Sequence, residues 1–310
     1  MIKTYNLRKN YASLTAVKDV NITLSKGEIL GLVGPNGAGK TTLLKMLSTL
    51  IEPTTGSALI MGHDIFKEKL QIRRHIGYLP DFFNLYDDLK LRELLYFFAH
   101  TYGVPEEERE ERINIALEET DLFMKQNDFI KNLSRGMTQR LGLAALLVHE
   151  PAIFLLDEPA SGLDPQARIT LRTILKKLAA KGKTIIISSH ILTELDGFCS
   201  HIAIMNKGEL LLHEKVDIVQ SQIKGRRSLK VTVLNKVEEA LKIIKSFSGV
   251  SKVSNTNKTF SAEYLGDDEL IANINTELVK NGVKVVNIIR EKKNFEDLFM
   301  QLTKELDLSV

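Results

Sequence analysis

The sequence predicts an α/β protein with a mostly parallel sheet, followed by a small α+β unit of ferredoxin-like order. Three observations carry this. Short apolar runs alternate with helical stretches through the first two thirds of the chain. One of those runs ends in a glycine-rich loop that opens a helix. Residues 229–310 switch to a βαββαβ rhythm. Strands alternating with helices put helices on the faces of a parallel sheet, and the split βαβ order packs helices on one face of an antiparallel one.

The first stretch alternates in a strand-like way and reaches Glu28-Ile29-Leu30-Gly31-Leu32-Val33, an apolar run that reads as a buried strand. Gly34-Pro35-Asn36-Gly37-Ala38-Gly39-Lys40-Thr41-Thr42 follows, then Leu43-Leu44-Lys45-Met46-Leu47 at helical spacing. Further strands are expected at Ile76–Leu79, Ile153–Leu156, Thr184–Ile187 and Ile202–Met205. Residues of about 85–150 form a helical insertion, with Leu91, Leu94, Leu95 and Phe98 on one stripe. The charged run Glu106–Glu111 reads as a solvated helix face ahead of Ile113, Ala116 and Leu117. The first domain spans residues 1–218, and the polar stretch 219–228 reads as a linker.

In the second domain Leu229–Leu234 alternates as a strand, and Val237, Ala240, Leu241, Ile244 and Phe247 share a helix face. Strands at Val250–Val253 and Phe260–Tyr264 precede a helical stripe of Leu270, Ile271, Ile274 and Leu278, then a strand at Lys284–Arg290. A last helix is expected from Asn294, capped by that side chain, with Glu296 and Asp297 favourable in its first turn.

Composition excludes several classes. At 44% hydrophobic and 26% charged, the chain is neither disordered, collagen-like nor of low complexity. With 42 basic against 39 acidic side chains the net charge is +3, so no nucleic-acid partner is expected. Cys199 is the single cysteine and cannot form an internal disulfide, which suggests an intracellular chain. The start MIKTYNLRKNYASLT has no apolar core of a secretory signal, and apolar runs such as Leu141–Val148 are too short to span a bilayer.

The chemistry lies in two motifs. Gly34-x-x-x-x-Gly39-Lys40-Thr41 matches a phosphate-binding loop. Glycines let backbone N–H groups converge on phosphate oxygens, and the following helix points its positive end at the anion. Lys40 would reach the β- and γ-phosphates, and the Thr41 hydroxyl oxygen would bind Mg²⁺. Ile153-Phe154-Leu155-Leu156-Asp157-Glu158 is an apolar strand ending in two carboxylates, at the end of a parallel strand where ligands bind. Asp157 would hold Mg²⁺ through water, and Glu158 would orient or deprotonate the attacking water. An ordinary strand end is the better reading of Asp-Glu alone; beside a phosphate loop the odds reverse.

The chain resembles the ATP-binding subunit of ABC transporters over most of residues 1–218. The residues that carry the resemblance are Leu133-Ser134-Arg135-Gly136-Met137, similar to the family signature Leu-Ser-Gly-Gly-Gln, with Tyr11 upstream, Asp81 after Gly77-Tyr78-Leu79-Pro80, Ser161-Gly162-Leu163-Asp164, and His190 after Ile187-Ser188-Ser189. The resemblance implies a P-loop NTPase fold with the helical insertion of that family. It also implies an ATP site built from Gly34, Asn36, Gly37, Ala38, Gly39, Lys40, Thr41 and Thr42. By the same resemblance Tyr11 would stack on adenine, although alone it reads as a half-buried core tyrosine. Ser134 and Gly136 would face the γ-phosphate of an opposing subunit, Asp164 would link the two sites, and His190 would bond the γ-phosphate. Taken singly, Ser134 is a simple N-cap, Asp164-Pro165 a helix start and His190 a core histidine. Two copies would sandwich two ATP molecules in a symmetric homodimer.

Two departures stand out. Asp81 replaces the usual glutamine, shorter and anionic, and would help hold Mg²⁺. Arg135 and Met137 replace Gly and Gln of the signature, with Arg135 either near phosphate or pointing to solvent. Leu-Ser-x-Gly-Met-x-Gln-Arg and the tail Asn294–Leu302 resemble the bacterial exporter branch, whose members move drugs, antibiotics, sodium or polysaccharides with a separate integral-membrane permease. The segment Asp81–Tyr86 lies, by family position, where such subunits meet the permease, with Phe82 and Phe83 equally readable as core. The expectation is a Mg²⁺-dependent ATPase peripheral to the cytoplasmic face of the cell membrane. The alternatives are a soluble ABC ATPase of translation or DNA repair and a nucleotide-gated switch without hydrolysis.

Overall fold

A computed structural model describes residues 1–191, 195, 197–223 and 227–292. The chain divides into two compact units, Met1–Val216 and Asp217–Val310.

The first unit holds two sheets. An antiparallel sheet is built from β1 (Ile2–Tyr11), β2 (Leu14–Val20), β3 (Thr23–Leu24), β5 (Thr55–Ile60) and β6 (His63–Asp64). The central sheet contains β4 (Ile29–Val33), β7 (Ile76–Leu79), β8 (Ile153–Leu156), β9 (Thr184–Ser189), β10 (His201–Asn206) and β11 (Glu209–Lys215), in the order β11-β10-β4-β9-β8-β7. All its pairings are parallel except β10–β11. β4, β8 and β9 are buried on both faces, which is why they read as unbroken apolar runs.

One face of the central sheet, carrying Leu30, Leu32, Ile153, Leu155 and Ile186, packs into a shared core with α1 (Lys40–Leu47) and the antiparallel sheet. Ile2, Leu7, Ile60, Leu43, Leu44 and Leu47 close that core. The glycine-rich turn at the head of α1 is thereby fixed between two sheets.

The insertion contains α3 (Leu91–Thr101), α4 (Glu106–Glu119) and α5 (Arg135–Leu147), after the short α2 (Lys69–His75). Leu91, Leu94 and Leu95 are buried and Phe98 is half-buried. In α4 the acidic run occupies the first turns, where carboxylates favour the helix dipole, while Ile113, Ala116 and Leu117 are buried. Phe83 packs on Gly142 of α5, where an added Cβ would lie 2.6 Å from the ring carbon Cζ; Phe82 is 82% exposed. The two neighbouring phenylalanines therefore divide, one half-buried against α5 and one at the surface.

Beyond Phe82 an aromatic string runs through Tyr86, Phe97, Phe98 and Tyr102 to His149, which stacks on Tyr102 at 3.9 Å between centroids. His149 Nε2 lies 3.3 Å from the Ile76 carbonyl oxygen, while its Nδ1 is buried without a hydrogen-bond partner among the described residues. Burial, opposed by that backbone bond and aided by Lys183 and Arg112, pushes its pKa down to about 4. The folded state thus refuses a proton that the unfolded chain accepts near pH 6.5. Stability is full above pH 6.5 and falls as the pH drops toward 4. His149→Phe should keep the stack yet lose about 2 kcal/mol less than wild type across that window. Denaturant melts at pH 7.5 and 4.5 measure it, and equal losses in both proteins would refute it.

The second unit contains β12 (Arg227–Val233), α8 (Val237–Ser246), β13 (Val250–Thr256), β14 (Thr259–Tyr264), α9 (Asp268–Lys280) and β15 (Val285–Lys292). Its antiparallel sheet runs β13-β14-β12-β15, the strand order of a ferredoxin-like fold. Leu229, Val231, Val233, Phe260, Ala262 and Tyr264 face Ala240, Ile244, Ile274 and Leu278 of the helices. The linker expected at 219–228 requires correction: α7 spans Val216–Ile223. Val216, Val219 and Ile223 keep helical spacing, and no glycine or proline interrupts until Gly225. The helix expected from Asn294 lies outside the described residues.

Candidate active site at the strand ends

The site forms at the carboxyl ends of β4, β8 and β9, beside the start of α1. Gly34 and Gly39 are dictated by space: a Cβ at Gly34 would sit 2.3 Å from the Met205 carbonyl oxygen, and one at Gly39 2.3 Å from that of Ala16. Gly39 also has φ +104°, a conformation that side chains disfavour. Gly37 has φ +79° in open space, so there the backbone angle and not room selects glycine. Asn36 is exposed, and Ala38 is buried with its carbonyl accepting from the Gly208 N–H at 3.1 Å. Gly39 caps α1 with no side-chain hydrogen bond, so the first-turn N–H groups at Lys40, Thr41 and Thr42 have no partner within the helix.

Lys40 is only 5% exposed. Its ammonium donates to the Gly34 carbonyl at 2.7 Å and the Pro35 carbonyl at 3.2 Å, and lies 3.2 Å from Glu158 Oε1. Three acceptors match its three donors. The other Glu158 oxygen, Oε2, lies 2.8 Å from His190 Nδ1 and accepts from the His190 backbone N–H at 3.3 Å. A carboxylate is acceptor-only, so His190 Nδ1 is the donor. His190 itself is 40% exposed on its side chain.

Asp157 is buried. Its Oδ1 accepts from the Ser188 hydroxyl at 2.7 Å, and its N–H donates to the Leu79 carbonyl at 2.8 Å. The Ser188 oxygen also accepts from the Glu158 N–H at 2.8 Å. Ser188 therefore holds both acidic residues, a role absent from the sequence reading. Pairing the ends of β8 and β9 in parallel register, with Leu155 opposite Ile186, would have found it.

Asp81 follows β7. Partial burial, then repulsion from Asp157 and Glu158, raises its pKa, while Arg135 and His190 pull it back. Asp81, Asp157 and Glu158 thus bring three carboxyl groups to one place, with Lys40 against Glu158. Among the described residues no group of three acids or imidazoles is spaced as a closed metal cage. That donor set, hard oxygens on few protein groups, fits Mg²⁺, which keeps several waters and takes the rest of its ligands from phosphates.

Ser134, Gly136 and Asp164 form a second cluster. Ser134 caps α5, accepting from the Met137 N–H at 3.3 Å. Asp164 caps α6 (Pro165–Ala180), accepting from the Ala167 N–H at 2.8 Å. Gly136 lets the two helix starts approach, since an added Cβ would lie 2.8 Å from the Ala167 Cβ. The Arg135 guanidinium lies against Gly162, where a Cβ would meet it at 2.4 Å. Tyr11 stands apart at the end of β1, 44% exposed, with Lys9 Nζ 5.2 Å from its ring centroid. It is not a core tyrosine.

Comparison with known proteins agrees with this geometry. A family model described as ABC transporter matches residues 17–161. The linearmycin resistance ATP-binding protein LnrL of Bacillus subtilis is 31% identical over 306 residues, covering 98% of each chain. The bacitracin transport ATP-binding protein BcrA of Bacillus licheniformis is 33% identical over 305 residues, covering 97% of each. Among solved structures, the dimeric ATP-binding cassette MJ0796, in a post-hydrolysis state bound to ADP and Pi, is 30% identical with a TM-score of 0.63, covering 70% of this chain and 99% of that one. The chain belongs to the ABC transporter family as an ATP-binding subunit that hydrolyses ATP. No helix among the described residues is long and apolar enough to cross a membrane.

Proposed function

We propose that this protein is the ATP-hydrolysing motor of a bacterial exporter. It works as a homodimer with two Mg²⁺-ATP at the interface, bound to a separate integral-membrane permease at the cytoplasmic face. The observation that carries the reading is the line of contacts Lys40–Glu158–His190 at the strand ends. It places one carboxylate between a phosphate-seeking cation and an imidazole. The names of LnrL, for linearmycin resistance, and BcrA, for bacitracin transport, support an antibiotic-handling transporter, and their similarity runs through both units; a relative named as a Nod factor export ATP-binding protein supports the direction.

The residues divide the work. The loop Gly34–Gly39 and the N–H groups of Lys40, Thr41 and Thr42 bind the phosphates, and Tyr11 offers its exposed ring to adenine. Thr41, Asp157 and Asp81 are the oxygen donors for Mg²⁺, which when bound neutralises charge on the transferring phosphoryl group. Glu158 accepts the proton of the water whose oxygen bonds to the γ-phosphorus, as the bond from that phosphorus to the β–γ bridging oxygen breaks. His190 steers the Glu158 carboxylate and stands next to the γ-phosphate. Ser134, Gly136 and Asp164 complete the site of the opposing subunit. ATP favours the closed dimer, and closure moves the permease.

A soluble translation or repair ATPase, the alternative reading of the sequence, is named by none of these relatives. The test is purification of the tagged full-length chain from detergent-solubilised membranes of its host. A stoichiometric multi-span membrane protein is expected. Recovery only in the soluble fraction, or with ribosomes or DNA, would overturn the exporter assignment.

A further inference from the structure

Tyr78 holds an unexplained polar group beside the acidic cluster. It sits in β7 opposite Leu155 of β8 in parallel register. Paired residues share a sheet face, and a strand returns to that face every second residue, so Asp157 follows Leu155 onto the side that carries Tyr78. That is the face covered by α1, and the Tyr78 ring packs against the same core as Leu32, Leu43 and Leu155. Ser188 belongs to it too, through its bond to Asp157 Oδ1. The aromatic ring alone would serve this packing. Its hydroxyl is nevertheless buried with no hydrogen-bond partner among the described residues.

Buried hydroxyls are nearly always bonded, because an unpartnered one has lost water and gained nothing. Burial, then the carboxylates of Asp157 and Asp81, raise the pKa of this phenol above its ordinary value, so it stays a neutral O–H. This donor lies on the sheet face of Asp157, two residues further along the neighbouring strand, and is bonded to neither Asp157 nor Asp81, which suits a third group between them.

We propose that Tyr78 is a positioning residue for the divalent cation, its hydroxyl anchoring a water of the cation's shell next to Asp157 and Asp81. Mg²⁺ retains such waters, and the groups that hold a metal's outer shell set its affinity. This inference rests on the reading of the phosphate loop and Asp157 as a Mg²⁺-nucleotide site.

Tyr78→Phe in the full-length chain separates this role from packing. Three measurements decide it: thermal unfolding without nucleotide, ADP binding in EDTA, and Mn²⁺ binding to the ADP complex followed by electron paramagnetic resonance. Loss of an orphaned hydroxyl should leave the Tm unchanged or a few degrees higher, and ADP binding in EDTA unaltered. Mn²⁺ affinity should fall about tenfold. A merely structural tyrosine would not lose metal while keeping its Tm. Mn²⁺ affinity within twofold of wild type would overturn the proposal, as would parallel loss of Tm and of metal-free ADP binding. Should wild type itself bind ADP but no Mn²⁺, the metal-site reading on which the inference rests would fail instead.

Discussion

Glu158→Gln should lower ATP turnover at least a hundredfold while leaving ATP bound. Glutamine keeps the size of the side chain but only one oxygen, so it can accept from Lys40 or from His190 but not from both, as the two carboxylate oxygens do at 3.2 and 2.8 Å. What it removes is the basic lone pair that takes the proton from water, and general-base catalysis is worth roughly 10²–10⁴ in rate. With binding intact and the reopening step slowed, ATP should hold the dimer together more strongly. Phosphate release gives the first quantity, and sedimentation with and without ATP the second. Turnover equal to wild type would remove Glu158 from its role.

Lys40→Met should weaken ATP binding about a hundredfold and abolish measurable hydrolysis. Charge-assisted hydrogen bonds are worth about 1.5–3 kcal/mol each, and the lower figure for two phosphate contacts already exceeds the 2.7 kcal/mol of a hundredfold change. Methionine fills the volume of the aliphatic stem but offers no donor. The Gly34 and Pro35 carbonyls and the Glu158 carboxylate would all lose their shared partner in a buried place. The nucleotide-free protein should therefore also unfold at a lower temperature, since breaking a buried pair from one side leaves an uncompensated charge. Titration with a fluorescent ATP analogue and a thermal melt test both halves. Unchanged affinity would mean that the loop's backbone alone retains the phosphates.

Much of this was legible in the chain because the chemistry imposes local rules. The phosphate loop carries glycine at 37 and 39, where φ of +79° and +104° disfavours a side chain, a rule of the local backbone. Apolar runs such as Ile153–Leu156 are buried on both faces, so they appear without alternation. The alternation of Phe260, Ala262 and Tyr264 in turn marks a sheet with one covered face. Caps at Ser134 and Asp164 are encoded within three residues of the groups they satisfy. The polar stretch 219–228 misled because polarity alone does not stop a helix; α7 runs on to Ile223 before Gly225.

Non-local pairing decided the rest. Nothing in the neighbourhood of Ser188 announces that its hydroxyl holds Asp157 and Glu158, because that bond depends on two strands thirty residues apart ending in register. Phe82 and Phe83 are equivalent on paper; the gap left by Gly142 on α5 receives Phe83, half-buried, and leaves Phe82 exposed. Arg135 found the backbone of Gly162 by the crossing of two helix starts, and its charge reaches Asp81 for the same reason. The amino-acid sequence by itself determined the fold class, the phosphate loop and the two carboxylates, since short-range sterics and hydrophobic periodicity write those into adjacent residues. The tertiary structure alone decided which side chains steer them, because hydrogen bonds and burial between distant strands have no signature along the chain.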